Sequence, residues 1–362
     1  MACPQTTARE SLGERLFDAT IQTLELYGVY LGKRLGLYEL LRDHGPLSAP
    51  GLAARAGIDE RYAQEWLEQQ AVADILFVDD AAADALSRRY ALPSAYVAVL
   101  ADDEHPAYVA PFAEMVVGAA AALPRVVDAY RSGAGVPFEH YGDDLRNGQA
   151  GINKPAFLHD LTSAWLPAVP DVHTRLGHAP AARVADVGCG VGWSTIALAR
   201  AYPEADVVGY DLDAASIADA KANAATRGVD VRFERKDARQ LVADGPFDLI
   251  LVLEALHDMA RPAEVLSQLR QALHPGGCVI VADERVAERF SAPGDAIERM
   301  MYGWSIVHCL PAARVDTPSQ ATGTAIRPAT VRACAAEAGF RTCEVLPIDH
   351  ELFRFYRMGG GQ

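Results

Sequence analysis

Val184-Ala185-Asp186-Val187-Gly188-Cys189-Gly190-Val191-Gly192 reads as a short apolar strand running into a glycine turn, and Trp193-Ser194-Thr195-Ile196-Ala197-Leu198 opens the next helix. A turn of this kind holds a charged ligand against a helix N-terminus. The glycines let the backbone come close, while free N–H groups and the helix dipole favour a carboxylate or phosphate. Spacing selects the ligand. The dinucleotide pattern G-x-G-x-x-G puts its last glycine at position 193, which here is Trp193, and the third glycine arrives one residue early at Gly192. That argues against NAD and FAD.

Downstream, Val207-Val208-Gly209-Tyr210-Asp211-Leu212-Asp213 reads as a second strand ending in acid, with Asp211 placed 19 residues after Gly192. An acid at the tip of the second strand of a strand–helix–strand unit suits a pair of ribose hydroxyls. Val231-Arg232-Phe233-Glu234-Arg235-Lys236-Asp237-Ala238 supplies a third acid, Asp237, able to accept from an adenine amino group. Asp186 precedes the glycines on the first strand, where its charge is expected to face a cation. The ligand implied has a carboxylate, a cationic part, a ribose and an adenine.

This arrangement resembles the class I S-adenosylmethionine-dependent methyltransferases. The matching residues are Asp186-x-Gly188-x-Gly190-x-Gly192, Asp211 and Asp237-Ala238. Phe247-Asp248-Leu249-Ile250-Leu251-Val252 corresponds to the family's fourth strand, and Pro275-Gly276-Gly277 to the turn before its fifth. The resemblance covers residues 180 to 357, and its strength lies in five weak motifs standing in one order. It implies an α/β, Rossmann-like catalytic domain: a mostly parallel sheet with helices on both faces. It also implies S-adenosylmethionine as cofactor, held by Asp186, Gly188, Gly190, Gly192, Asp211, Leu212, Asp237, Ala238 and Glu254.

A chain of 362 residues exceeds what one core usually fills, so two domains or more are expected. No apolar run is long enough to span a membrane, and Met1-Ala2-Cys3-Pro4-Gln5-Thr6 lacks the basic and apolar blocks of a signal peptide. The six cysteines, Cys3, Cys189, Cys278, Cys309, Cys334 and Cys343, are scattered with no C-x-x-C pair. That suits reduced thiols in a cytoplasmic protein better than a disulfide framework or a zinc site. The formal net charge of −15 repels phosphate backbones, which disfavours nucleic acid as a partner.

Residues 10 to 42 read as amphipathic helix, with Leu16, Ile21, Leu24, Tyr27, Leu31, Leu35 and Leu40 at roughly helical spacing. Ser48 is placed to cap a short helix from Ala49, Gly57-Ile58-Asp59 makes a turn, and Glu60 to Glu68 begins another helix. Phe77-Val78 and Tyr90-Ala91-Leu92 then supply two strands of a wing. A winged-helix domain often reads DNA, but residues 1 to 100 carry nine basic and fourteen acidic side chains, and the would-be recognition helix carries Glu60, Glu65 and Glu68. The favoured reading is a dimerisation domain that also walls a pocket. It matches the layout of two-domain small-molecule methyltransferases of bacteria and plants, in which the winged-helix half builds the dimer.

Three regions are expected: the winged-helix domain over 1–104, a helical linker over 105–180 and the cofactor-binding domain over 181–362. By the resemblance, the linker roofs the cofactor, with Phe138, Tyr141, Phe157, His159 and Trp165 as pocket residues. Strands are expected near Arg183, Val207, Val231, Phe247 and Cys278, with helices over Asp213 to Thr226, Pro262 to Leu273 and Thr330 to Gly339. Thr342 to Pro347 and Leu352 to Arg357 read as closing strands, and Gly359-Gly360-Gly361-Gln362 as a frayed tail.

Methyl transfer from a sulfonium is an in-line displacement with an activated donor, so orientation and exclusion of water dominate. A hydroxyl acceptor gains from a base. Leu253-Glu254-Ala255-Leu256-His257-Asp258-Met259 comes after the fourth strand, and its His-Asp pair resembles that of plant-type O-methyltransferases. By that resemblance His257 is the general base, although Met259 stands where the plant pattern has Trp, and no acid partner for the ring can be located from sequence. Glu254 is a candidate contact for the methionine ammonium. Asp283-Glu284, after the fifth strand, also faces the crevice, but no metal is expected there because the rest of a catechol-type ligand set is not recognisable. Met300, Met301, Tyr302, Trp304 and His308 come next on a helical stretch that lines the acceptor pocket in the family. The chain is therefore expected to be a homodimeric O-methyltransferase of a small molecule in secondary metabolism. The alternatives are nitrogen or carbon methylation in the same fold and a cofactor-sensing DNA-binding regulator.

Overall fold

The computed structural model describes residues 4–359. Cys3 and the expected frayed tail beyond Gly359 lie outside the described residues. The chain divides into two compact units: residues 1–118 with 143–155, and residues 119–142 with 156–362. The stretch expected as a separate linker is thus shared between them.

In the first unit, α1 (Pro4–Arg34) and α2 (Leu37–His44) replace the single helix expected over residues 10 to 42. Gly36 takes a left-handed φ of 67° between them, and this ends the first helix. Ser48 caps α3 (Ala49–Ala56) by accepting from the Gly51 N–H at 3.4 Å. Asp59 caps α4 (Glu60–Val72) by accepting from the Arg61 and Tyr62 N–H groups. β1 (Phe77–Val78) and β2 (Tyr90–Ala91) pair antiparallel, and Leu47 bridges to Tyr90, which completes the wing. Tyr38 and Trp66 meet edge-to-face with ring centres 5.3 Å apart in a core with Leu37, Leu41, Leu52 and Leu67. α5 (Ser94–Leu100) comes next, and then α6 (Pro111–Ser132) and α7 (Gly142–Asp160), which each run across the division.

The second unit contains α8 (Pro170–Leu176), β3 (Arg183–Val187), α9 (Trp193–Ala201), β4 (Asp206–Asp211), α10 (Ala214–Thr226), β5 (Arg232–Arg235) and β6 (Phe247–Leu253). Next come α11 (Pro262–Gln271), β7 (Leu273–Glu284), α12 (Ala296–Trp304), α13 (Leu310–Ala313), α14 (Pro328–Glu337), β8 (Thr342–Val345) and β9 (Phe353–Gly359). The seven strands lie in the order β5-β4-β3-β6-β7-β9-β8, and only β9 runs against the rest. Along β6 the side chains alternate: Leu249, Leu251 and Leu253 enter one core with Trp165 and Phe355, while Ile250 and Val252 enter the other with Leu266 and Val331. Pro275-Gly276-Gly277 forms an irregular stretch inside β7, not a turn before it, because Leu273 already pairs with Phe247.

Strand order reverses at β3, which has β4 on one side and β6 on the other. The carboxyl ends of these strands therefore open a crevice at the switch point, and the glycine turn sits in it. Gly188, Gly190 and Gly192 all take positive φ, at 73°, 52° and 87°. A Cβ on Gly192 would come within 2.7 Å of the Phe233 ring and 2.9 Å of Ala220. Gly192→Ala combines a left-handed alanine with that overlap. It should lower the unfolding free energy by at least about 2 kcal/mol in urea titrations.

Candidate active site

Asp186, at the end of β3, is fully buried. Its Oδ2 accepts hydrogen bonds from the hydroxyls of Ser194 and Thr195, both at 2.6 Å. Burial raises its pKa, against the effect of the two hydroxyls. The Oδ2 oxygen is taken up by the first turn of α9, so the residue anchors that helix in addition to any part it plays toward a cation. The Asn223 side-chain amide donates to the Val191 carbonyl at 3.0 Å and ties the turn to α10.

Asp211 stands at the tip of β4. Its Oδ2 accepts from the Gly190 N–H at 2.9 Å and its Oδ1 from the Asp213 N–H at 2.8 Å. Burial raises its pKa while these backbone donors oppose the rise. Each oxygen keeps a lone pair for a further donor, as two ribose hydroxyls would require. Beside it, Leu212 is 62% exposed, an apolar surface at the mouth of the turn. A Cβ built on Gly190 meets nothing within 4 Å, so the space before this glycine is open. Open space and a half-buried carboxylate fit the amino-acid and ribose portions of an adenosyl ligand, whereas the N–H groups expected to be free are taken up within the protein: those of Gly188 and Cys189 donate to the Tyr210 carbonyl, that of Gly192 to the Cys189 carbonyl and that of Gly190 to Asp211. Asp237 is engaged otherwise than expected. It accepts from the Arg239 N–H at 2.9 Å and pairs with the Arg239 guanidinium through both oxygens, which holds its pKa below the usual carboxylate value. An adenine amino group would have to share that carboxylate with Arg239. Ala238 is buried behind it.

His257 occupies a one-turn helix after β6 and is 2% exposed. Its partner, invisible in the sequence, is Asp283 at the end of β7. The two are joined through His257 Nδ1 and Asp283 Oδ1 at 2.6 Å. The parallel register that sets Leu253 beside Ala282 brings the two chain ends together. Burial works against a charge on the ring, but the Asp283 and Asp258 carboxylates outweigh it and hold the ring pKa well above the ordinary histidine value. Asp258 Oδ1 lies 3.4 Å from His257 Nε2, close enough for charge attraction but not aligned for a hydrogen bond. Glu284 is also buried, with Oε2 unpartnered, and burial together with Glu254 pushes its pKa up. Glu254 holds a φ of 52°, a strained value for a non-glycine residue, and its N–H donates to the Ala282 carbonyl at 2.8 Å.

The stretch after α12 contains a wide turn over Ser305–Cys309, in which the Leu310 N–H reaches back five residues to Ser305. It buries His308 and Cys309. The Tyr141 ring meets His308 edge-on at 4.6 Å and Phe138 approaches it to 5.7 Å. Burial lowers the His308 pKa and pushes Cys309 up to about 12. Met301 is buried in α12 and Trp304 half-buried. Phe138, Tyr141 and His308 thus come together, whereas Trp165 does not join them. At 4% exposure it packs on Phe157, His350, Phe353 and Phe355 in the core of the sheet, a correction of its expected pocket role. His159 is exposed near the end of α7.

The methyltransferase-domain family matches residues 178–315, and the Rv2258c-like winged HTH domain family matches residues 25–102. Trans-aconitate 2-methyltransferase of Methylobacterium nodulans is 33% identical over 133 residues, 37% of this chain and 49% of that protein. Ubiquinone biosynthesis O-methyltransferase of Caulobacter sp. is 35% identical over 102 residues, 28% of this chain and 40% of that protein. The chain thus spans half or less of the length of these relatives. Among solved structures, the mitomycin 7-O-methyltransferase MmcR superimposes with a TM-score of 0.69 at 20% identity, over 98% of this chain and 99% of that one. Human N-acetylserotonin methyltransferase, in complex with SAM, gives 0.66 at 17% identity over 97% and 98%. These likenesses establish the fold. Among the described residues no helix is long and apolar enough to cross a membrane. Motif order, sheet order and family matches agree: this chain carries a class I methyltransferase domain behind an N-terminal winged-helix domain.

Proposed function

We propose that this chain is an S-adenosylmethionine-dependent methyltransferase that methylates a hydroxyl of a small molecule, with His257 as general base, and that it serves secondary metabolism. The bond between His257 and Asp283 carries this reading. It fixes the ring at the carboxyl edge of the sheet with Nδ1 held by an acid, which leaves Nε2 as the nitrogen to take a proton. Bound S-adenosylmethionine supplies a methyl group activated on sulfur. The chain's own part is to hold and orient. Asp211 receives the ribose, the open space before Gly190 admits the amino-acid end, Leu212 gives the adenine an apolar surface, and Ala238 backs it. Glu254 offers a carboxylate for the ammonium group. His308, Met301 and Trp304, with Phe138 and Tyr141, supply imidazole, thioether and aromatic surface to an acceptor.

The upward push that Asp283 and Asp258 give the ring pKa supports a second reading. A ring that stays charged donates instead of accepting, and would orient a nitrogen or carbon acceptor. Kinetics separate the two. For a base, His257→Ala should lower kcat by about 10²–10⁴-fold with cofactor affinity unchanged, and Asp283→Asn should lower kcat in the same direction. Near-normal turnover in His257→Ala would remove the base role. The cofactor reading has its own measurement. Gly190→Val fills the open space before the turn and should abolish the calorimetric heat of S-adenosylhomocysteine binding.

The same proposal includes a homodimer. α1 leaves Leu16, Phe17, Leu24 and Leu31 exposed along one helix, an apolar stripe that a second copy would cover. The acid excess of residues 1–100 supports a scaffold role for the winged helix over DNA reading. Light scattering at micromolar concentration should give twice the chain mass, and Leu24→Glu with Leu31→Glu should give the single-chain mass. A monomeric parent protein would overturn the dimer.

A further inference from the structure

Three side chains beside the base candidate form a donor set of a different kind. His257, Asp258 and Cys309 each offer one ligand atom, and these atoms lie within 4.8 Å of one another. They come from two distant pieces of chain, the one-turn helix after β6 and the end of the wide turn after α12. We propose that His257 Nε2, Asp258 Oδ1 and Cys309 Sγ form a binding site for a borderline-soft divalent cation of the zinc type, which occupies the nitrogen the methyl acceptor would otherwise use.

Four observations carry this. First, nitrogen, oxygen and sulfur in one set of three suit zinc or cobalt(II) and not magnesium, and three protein ligands leave a fourth position open for water or an acceptor atom. Second, the Nε2 to Oδ1 separation of 3.4 Å is close to the ~3.3 Å expected between two tetrahedral ligands each about 2.0 Å from zinc. Third, the opposite ring nitrogen is held by the Asp283 carboxylate at 2.6 Å, and metal-binding histidines are typically fixed in this way through their other nitrogen. Fourth, polar atoms here lack partners. Asp258 Oδ1 is buried without a hydrogen bond, and so is Nε2 of His308, which is 3% exposed and adjoins the cluster. A cation would satisfy the first of these directly.

Binding exchanges protons for the cation. The Cys309 thiol releases its proton to solvent and becomes a thiolate ligand, and the imidazole releases any proton on Nε2. No electron moves. Only the consequence for catalysis rests on the base role of His257; the site itself does not. A bound cation would make the enzyme reversibly unable to accept a proton at this nitrogen.

The test reads binding alone, so its failure is distinct from failure of the methyltransferase reading. The full chain is titrated with cobalt(II) and the sulfur-to-cobalt charge-transfer absorption is monitored. The expected result is a band that saturates at one equivalent and is bleached by zinc. Cys309→Ser should lose the band while keeping a cooperative melt. Asp258→Asn should keep the band but raise the cobalt concentration at half saturation at least about tenfold, and it carries the test should the serine variant fail to fold. Absence of the band in the parent chain, its persistence in Cys309→Ser, or an unchanged half-saturation in Asp258→Asn would overturn the site.

Discussion

The buried carboxylate of Asp186 is the point on which the ligand crevice depends. Two hydroxyls from the first turn of α9 converge on one of its oxygens, which locks the helix start against the end of β3. The glycine turn runs between these fixed ends. Its three glycines are left-handed, with Gly188 and Gly192 closed in by Ala255 and Phe233 while Gly190 faces open space. Asp211 completes the frame by drawing the Gly190 N–H toward β4. The turn's backbone is thus held in shape by its own hydrogen bonds before any ligand arrives, which is the arrangement that lowers the cost of binding.

Around His257 the electrostatics are set by several acids crowded near one ring. Asp283 and Asp258 act on it, it in turn acts on Glu284, and burial makes these interactions stronger than they would be in water. The ring takes up a proton readily, and Glu284 resists ionising in company with Glu254. The acids that remain ionised here are the groups to which positive charge from outside the chain would be drawn. A sulfonium cofactor and a divalent cation are two forms of that complement.

Much of the fold and the crevice is legible in the sequence because it is local. The glycine spacing, the acid at the end of β4, the caps at Ser48 and Asp59 and the wing strands all depend on residues a few positions apart. The illegible part depends on pairing across the chain. Asp283 becomes the partner of His257 only through the register of β6 on β7, and an Asp-Glu pair after a strand is equally consistent with a metal ligand or a solvated end. Position in the motif makes Asp186 and Asp237 look like ligand contacts, and the sequence does not show that neighbouring hydroxyls hold one oxygen of the first and Arg239 both oxygens of the second. Trp165 reads with the aromatic pocket residues because proximity in sequence says nothing about which face of a sheet a ring covers. Gly36 breaks a helix whose apolar spacing runs on regardless, since periodicity does not register one left-handed residue.

The wide turn over Ser305–Cys309 has a consequence for how this chain tolerates changes in length. It holds one residue more than an ordinary helical turn, and each residue rotates the chain beyond it by about 100°. Deleting a single position there would restore a regular helix and swing either His308 or Cys309 out of register with the ring they flank. Side-chain replacements in this segment are local events, whereas insertions and deletions are not. The spacing of the chain at this point is therefore constrained more tightly than the identity of most residues in it.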